Sequence, residues 1–259
     1  MSIRFGPAGL GSVKDAIKNL EYYHSLGFRA CEIAFTHGIY IKNDDDMKKI
    51  KQAVEKLDIK LSIHAPYWLN LNSKEKKKIE NSKNRILNCC KVGERLGCYM
   101  VVFHPGYYGL LTEQESYENI KNAILEMQDF IKQKKFKIKI APETMGKTGV
   151  FGSLEQIYRL HKETGCEFCI DFAHILARDK KVDYEKLKEL FPEKKWHCHF
   201  TGIVYGEKGE KHHKKTEKED WKKLFEELKK MKDKDIVIIN EAPTPVEDSV
   251  EGLEIYNKS

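Results

Sequence analysis

The chain has 259 residues, of which 41% are hydrophobic, and its formal net charge is +6. This length suits one domain with a substantial core, and the charge is too small to indicate nucleic-acid binding unaided. No apolar run reaches the roughly 18 residues of a membrane span and no signal peptide is evident, so we expect a cytoplasmic protein. The seven cysteines, an odd number without the spacing of a disulfide framework, agree with reduced thiols.

Short apolar runs alternate with longer amphipathic segments along the chain. The runs predict eight strands at 3–6, 30–35, 59–64, 99–104, 138–143, 167–171, 196–200 and 235–241. The helix-length segments are 13–26, 44–57, 74–96, 113–133, 154–163, 184–190 and 221–231. The alternation fits an open doubly wound sheet or a closed barrel, and the count of eight favours a single (β/α)₈ TIM barrel domain over residues 1–259. The charged segment 206–220 is predicted to be a long surface loop.

Histidines and carboxylates stand at or near the ends of the third to eighth predicted strands. In chain order they are His64, His104, Glu143, Asp171, His199 and Glu241. One such residue would be an ordinary polar group at the edge of the core, but six successive strands indicate a shared site at the C-terminal end of the barrel. These side chains suit Zn²⁺ or Mn²⁺, and clusters of such ions activate water and stabilise the oxygens of a phosphoryl displacement.

A second group of candidate ligands lies beyond the strand ends. His174 follows the sixth strand, and Glu210 and His212 lie in the charged segment 206–220. Because Glu210 and His212 are two residues apart, their side chains face the same way in an extended chain, whereas His213 would point elsewhere. With His174 they could complete a further ion site. The alternative is a solvated charge run with incidental histidines.

Residues within the strands are assigned structural roles. His197 shares strand parity with His199, so it is predicted to point into the barrel one layer below. Cys166 and Cys169 are three residues apart and are predicted to lie on opposite faces of the sixth strand, which argues against a shared metal ion.

Seven motifs in this order resemble the endonuclease IV family, which is AP endonuclease family 2 of the xylose-isomerase-like TIM barrel superfamily. They are His64-Ala65-Pro66-Tyr67, His104-Pro105-Gly106, Glu143-Thr144, Cys169-Ile170-Asp171-Phe172-Ala173-His174, His199, Glu210-Lys211-His212-His213 and Glu241-Ala242-Pro243. Members of that family are (β/α)₈ barrels with a trinuclear zinc site. They cleave the DNA backbone on the 5′ side of abasic sites in base excision repair.

The resemblance implies a role for each matching residue. It assigns the first zinc to His64, His104 and Glu143, the second to Glu143, Asp171, His199 and Glu241, and the third to His174, Glu210 and His212. Tyr67 matches a position close to the substrate, so Glu143 and Tyr67 are the candidate catalytic residues. We therefore expect two to three zinc ions, with Mn²⁺ as the alternative, DNA containing abasic sites as the partner, and a monomer.

The sequence also departs from the family pattern. Glu210 stands where the family usually has Asp, and Phe200-Thr201-Gly202 follows the strand-seven histidine where an Asn-Asp pair is usual. The loop after strand two, residues 36–41, lacks the family's arginine. Tyr40 or Ile41 could still act as a wedge between base steps.

Two other functions fit parts of the same pattern. A sugar or sugar-phosphate isomerase or epimerase of this superfamily needs a metal-binding quartet, which Glu143, Asp171, His199 and Glu241 would supply. The additional group His64, His104, His174 and His212 favours the nuclease, because an isomerase has little use for a second and third ion. A non-catalytic barrel that binds metal or nucleic acid is the third alternative.

Overall fold

The structure is a computed structural model that describes residues 2–258. Its eight barrel strands are β1 Ser2–Pro7, β2 Ala30–Ala34, β3 Lys60–His64, β4 Met100–Phe103, β5 Lys139–Pro142, β6 Cys169–Asp171, β7 Lys195–Phe200 and β8 Asp235–Asn240. The helices are α1 Ala16–Ser25, α2 Asp44–Lys56, α3 Lys76–Leu96, α4 Glu113–Gln133, α5 Leu154–Thr164, α6 Phe172–Asp179, α7 Tyr184–Leu190, α8 Lys218–Lys229 and α9 Pro245–Lys258. The eight predicted strands are confirmed, with ends that shift by no more than two residues.

The strands form a closed cylinder. One four-stranded parallel sheet has the order β1-β8-β7-β6 and the other the order β2-β3-β4-β5. Parallel bridges between Ala8 and Glu32, and between Glu143 and Cys169, join the two sheets at their edges. The (β/α)₈ barrel is therefore confirmed, and the open doubly wound sheet is excluded.

Side chains alternate between the barrel interior and the layer under the helices. On β3, Leu61 and Ile63 belong to the main hydrophobic core, whereas Ser62 contacts Glu32. A separate, small apolar cluster contains Met100, Val102, Ala141 and Cys169. Barrel interiors are usually filled by branched apolar residues, so the buried polar residues Ser62 and Glu32 are unusual in this barrel. Cys166 belongs to the main core and not to the cluster of Cys169, as their spacing predicts.

Local capping signals account for several helix ends. α4 begins with a capping box between Thr112 and Glu115, and α5 begins with one between Ser153 and Gln156. α3 ends at Gly97, whose φ of 74° lies in the left-handed region. None of the helices within residues 2–258 combines the length and the apolar character needed to cross a bilayer.

The charged segment after β7 is not the irregular loop that its composition predicts. Gly202–Gly206 pairs antiparallel with Gly209–Lys214 and forms a β-hairpin over the barrel mouth. A second short pair, Gly106–Tyr107 with Val150–Phe151, connects the segments that follow β4 and β5. The hairpin has no alternation of apolar and polar residues, because it packs over a polar mouth and not over an apolar core.

Candidate metal centre

Glu143 lies at the centre of the cluster. It follows β5 directly and its side chain is fully buried. Oε2 is 3.1 Å from His64 Nε2 and 3.2 Å from His104 Nε2. Oε1 is 3.1 Å from His199 Nδ1 and 3.3 Å from His174 Nδ1. One carboxylate therefore contacts four imidazoles, three at or beside strand ends and one in the first turn of α6, and its two oxygens divide them into two sets.

The second set contains the acids of the sixth and eighth strands. Glu143, Asp171, His199 and Glu241 offer ligand atoms that lie within 4.8 Å of one another. Asp171 caps α6, since its Oδ1 accepts a hydrogen bond from the backbone N of His174 at 2.7 Å. Its other oxygen, Oδ2, is buried without a hydrogen-bond partner. An unpartnered buried carboxylate oxygen is unfavourable unless a cation approaches it, so this donor set fits a divalent metal ion.

A third set lies beside it under the hairpin. The Nε2 atoms of His174 and His213 are 3.4 Å apart, and Glu210 Oε2 is 3.5 Å from His174 Nε2. His174 Nδ1 lies 2.9 Å from the carbonyl oxygen of Thr144, and His213 Nδ1 lies 3.3 Å from that of Glu241. A proton on each Nδ1 leaves a lone pair on each Nε2. Two lone pairs that face each other beside a carboxylate form a site for a cation.

His213, and not His212, occupies this third set, so the prediction for His212 is wrong. The hairpin register pairs Val204 with His212 but Tyr205 with Glu210, which leaves Lys211 as an extra residue in a β-bulge. A bulge reverses the alternation of side chains beyond it. Glu210 and His213 therefore face the cluster together, while His212 is exposed. Of the nine ligands predicted from the sequence, the structure brings together the other eight.

Glu32 is a buried carboxylate that the sequence reasoning missed. It lies within β2 and its Oε1 is 3.1 Å from His199 Nε2, on the side of the ring opposite Glu143. Burial alone would raise its pKa, but the charge of His199, the hydrogen bond from His197 and the charge of His197 hold the pKa well below its usual range. The ligands predicted from the sequence stand at or beyond strand ends, whereas Glu32 lies inside a strand. An acid inside the otherwise apolar run 30–35 was the available signal.

The raised pKa values of His64, His174 and His199 mean that these rings bind protons strongly, whereas burial lowers the pKa of His104. Burial alone would lower the pKa of His64, but the hydrogen bond and charge of Glu143 raise it to about 9. The pKa of His174 rises to about 10, because the charge of Asp171 and the contact with Glu143 outweigh burial. Burial also opposes ionisation of Glu241, yet the charge of His199 lowers the pKa of Glu241 to about 2. A metal ion that binds here has to displace the histidine protons.

A cavity of about 340 Å³ opens over the cluster and includes Tyr67, Lys147, Glu210 and Glu241 in its wall. The ring of Tyr67 stacks on His104 with 5.2 Å between centroids, and Tyr67 remains 44% exposed. This wall therefore combines cluster ligands with a lysine and an accessible phenol.

Aromatic side chains continue from the cavity across the rim. Trp68 is 49% exposed and stacks on His37 of the loop after β2, with 6.3 Å between centroids. Ile41 is fully buried, so the prediction that it acts as a wedge is wrong. Tyr40 is 37% exposed and packs edge-on against Phe35.

Comparisons with known sequences agree with this architecture. Residues 20–259 match the family model described as xylose isomerase-like TIM barrel. The chain is 35% identical to an uncharacterized protein of Methanocaldococcus jannaschii, MJ0133, across 98% of this chain and 97% of the relative. It is 26% identical to the probable endonuclease 4 of Aquifex aeolicus, in a match that spans 64% of this chain and 65% of the relative. The chain thus covers just under two thirds of that endonuclease.

Solved structures extend the comparison to the whole barrel. Endonuclease IV from Thermus thermophilus superposes with a TM-score of 0.75 at 19% identity, over 98% of both chains. D-psicose 3-epimerase from Clostridium cellulolyticum superposes with a TM-score of 0.72 at 12% identity, also over 98% of both chains. At these identities the structural likeness shows the fold alone. On its sequence, the chain belongs to the xylose isomerase-like TIM barrel family and resembles the endonuclease IV members within it, as its motifs predicted.

Proposed function

We propose that the protein is a metal-dependent AP endonuclease, which hydrolyses the DNA phosphodiester 5′ to abasic sites in base excision repair. The observation that carries the proposal is the third ligand set of His174, His213 and Glu210, placed beside the two sets that share Glu143. Chemistry at a single ion needs only one of these sets. We infer two to three zinc ions, with Mn²⁺ as the alternative, because imidazole and carboxylate ligands suit both.

Each of the three ligand sets would hold one metal ion. His64 and His104 with Glu143 would hold one ion, Asp171, His199 and Glu241 with Glu143 a second, and His174, His213 and Glu210 a third. Bound ions of this kind activate water and neutralise charge on the phosphoryl oxygens. Glu143 belongs to the first two sets and holds them side by side. Burial and the carboxylates of Glu241 and Glu143 raise the pKa of Tyr67, so its hydroxyl stays protonated and can donate to a phosphate oxygen.

The surface around the cavity supports a nucleic-acid substrate. The net charge of +6 attracts phosphates, and Lys147 places a cation in the wall of the cavity. Tyr67, Trp68 and Tyr107 are between 44% and 50% exposed on or beside this rim. Exposed aromatic rings stack on unpaired bases, which an abasic site leaves available on the opposite strand.

Incision of a defined substrate tests the proposal. A duplex with one abasic site and a 5′ label should be cut on the 5′ side of that site by zinc-loaded protein. Chelator should abolish the cut, added Zn²⁺ should restore it, and an intact duplex of the same sequence should stay whole. Failure of the folded, metal-loaded protein to cut the abasic duplex would contradict the proposal.

Glu143→Gln tests the shared carboxylate directly. The substitution preserves the volume but removes the charge that both ligand sets use, so incision should fall by at least about 10³-fold. Circular dichroism should show an unchanged fold. A Glu143→Gln protein that retains wild-type incision would refute the central role of this residue.

An epimerase that acts on sugars is the second candidate. The quartet Glu143, Asp171, His199 and Glu241 and the fold shared with D-psicose 3-epimerase favour it. Its chemistry exchanges a proton at the carbon beside a carbonyl. Metal-loaded protein that incorporates solvent deuterium into a ketohexose, and leaves abasic DNA intact, would establish this alternative in place of the nuclease.

A further inference from the structure

A buried polar chain runs through the barrel beneath the metal ligands, and the proposed function does not use it. Glu32 Oε2 accepts a hydrogen bond from Ser62 Oγ at 2.7 Å and lies 3.2 Å from His197 Nε2. Glu32 Oε1 lies 3.1 Å from His199 Nε2. His197 Nδ1 bonds to the hydroxyl of Tyr99 at the far end of the chain. Glu32, Ser62, His197 and His199 are each at most 2% exposed.

The direction of these bonds follows from the carboxylate. An ionised carboxylate accepts hydrogen bonds and cannot donate them, so His197 donates to Glu32 from Nε2. Nε2 of His199 and Oε1 of Glu32 make no hydrogen bond, but they lie 3.1 Å apart, and the negative oxygen favours a proton on that nitrogen. Neutral His197 then accepts from Tyr99 through Nδ1. When His199 is neutral, as a metal ligand must be, its lone pair lies on Nδ1, the nitrogen that is 3.1 Å from Glu143 Oε1 and 3.5 Å from Glu241 Oε2.

We infer that Glu32 is a positioning residue, which holds the proton on His199 Nε2 and thereby presents Nδ1 of His199 to the metal at the barrel mouth. The inference rests on the proposed metal centre. Glu32 is fully buried below His199 and cannot reach a substrate. Without the charge of Glu32 the proton on Nε2 loses the carboxylate that favours it, and the ring is free to rotate Nδ1 away from Glu143.

A purely structural role for Glu32 gives a different expectation. In that case its replacement lowers the stability of the fold but leaves the affinity of the folded protein for metal unchanged. A positioning role lowers the affinity for one ion in protein that is still folded. Metal binding and the protonation of the His199 ring therefore separate the two roles.

The test uses Glu32→Gln, with Ser62→Ala as the matched control. Glutamine keeps the volume but turns one acceptor into a donor, which conflicts with an Nε2 proton of His197 or His199. Ser62→Ala removes a donor to the same carboxylate and leaves the contact with His199 intact. Zinc affinity is measured by competition with a chromophoric chelator, and the ring protons by NMR of protein labelled with ¹⁵N-histidine.

Glu32→Gln should weaken the binding of one ion by about 10- to 100-fold and shift or broaden the Nε2 proton signal of His199. Ser62→Ala should leave the affinity within about threefold of wild type. Folded Glu32→Gln protein with unchanged affinity and an unchanged Nε2 proton signal would overturn the inference.

The wild-type spectrum supplies an independent readout if Glu32→Gln does not fold. The inference requires a slowly exchanging proton on His199 Nε2, and a neutral ring protonated on Nδ1 would overturn it. Wild-type protein that binds neither Zn²⁺ nor Mn²⁺ would refute the proposed metal centre. The Nε2 proton would still report on Glu32 in that protein, so the two failures are distinguishable.

Discussion

At the scale of single residues, the third ligand set depends on one of two adjacent histidines. His213 faces His174 across 3.4 Å, whereas His212 is exposed. His213→Ala should therefore lower the zinc content by about one ion per chain, because a site with three protein ligands loses one of them. His212→Ala, a matched control one residue away, should leave the content unchanged. Elemental analysis of both variants tests the assignment. Loss of one zinc ion in His212→Ala but not in His213→Ala would assign the third site to His212 instead.

The protonation of the cluster gives a second expectation at this scale. The raised pKa values of His64 and His174, about 9 and about 10, mean that the folded protein binds these protons more tightly than the unfolded chain does. In chelator-treated protein their stabilising contribution is complete below the ordinary histidine pKa of about 6.5 and is lost as the pH rises through 9 to 10. Thermal denaturation at pH 7, 8, 9 and 10 should show a falling midpoint.

The metal-loaded protein should behave differently in the same window. Zinc takes the place of the histidine protons, so uptake releases protons and the apparent affinity for zinc should rise between pH 7 and pH 9. His64→Gln should flatten both responses, because it removes one of the two titrating rings. A chelated wild-type protein whose midpoint is constant or rises from pH 7 to 10 would contradict the assigned shifts.

The sequence predicted which side chains converge better than it predicted how they are held. His64, Glu143 and Asp171 were recognisable because each directly ends a buried apolar run, and a barrel brings such ends to one mouth. His213 could not be recognised in this way, because its orientation depends on a bulge at Lys211 that no local sequence pattern predicts. Glu32 lies inside a strand, where its partner His199 is close in space but far along the chain.

At the scale of secondary structure, the hairpin that carries Glu210 and His213 is fixed to the loop after β5 by a close backbone contact. Gly209 has a φ of +91°, and a Cβ there would lie 2.0 Å from the carbonyl oxygen of Gly146. Gly209→Ala should displace the hairpin, destabilise the fold by roughly 1–3 kcal/mol and lower the zinc content by about one ion.

Gly149→Ala is the control, because a Cβ at Gly149 meets nothing within 4 Å. Urea denaturation and elemental analysis of the two variants test the hairpin contact. Equal stability and equal zinc content in both variants would show that the close approach of Gly209 to Gly146 does not hold the third ligand set in place.

Two helices, α6 and α9, were not predicted from the sequence, and each has an identifiable reason. α6 starts at Phe172, directly after Asp171 ends β6, so no polar loop separates helix from strand. Asp171 is both the last strand residue and the N-cap of the helix, which is how a single turn brings His174 beside it. α9 begins at Pro245 after a run of Ala, Pro and Thr that is more typical of a loop. The strands were easier to predict, because strands that are buried on both faces are nearly continuous apolar runs.

At the scale of the whole molecule, the proposed function predicts how binding to DNA responds to salt. A protein that neutralises phosphates releases counterions, so the logarithm of its affinity falls by about 0.9 per phosphate contact for each tenfold rise in salt. Uncleaved abasic duplex bound to Glu143→Gln should show this steep dependence in fluorescence anisotropy. An intact duplex should show it too, but with weaker binding. A flat response to salt would argue against DNA as the substrate.

Closure of the barrel brings the ends of six strands, spread over residues 64–241, around one carboxylate. The most direct test of this convergence is anomalous diffraction at the zinc absorption edge from crystals of the zinc-loaded protein. The proposed metal centre predicts two to three peaks at the barrel mouth, with two flanking Glu143 and one between His174 and His213. A single peak within the quartet of Glu143, Asp171, His199 and Glu241, or no peak among these residues, would contradict it.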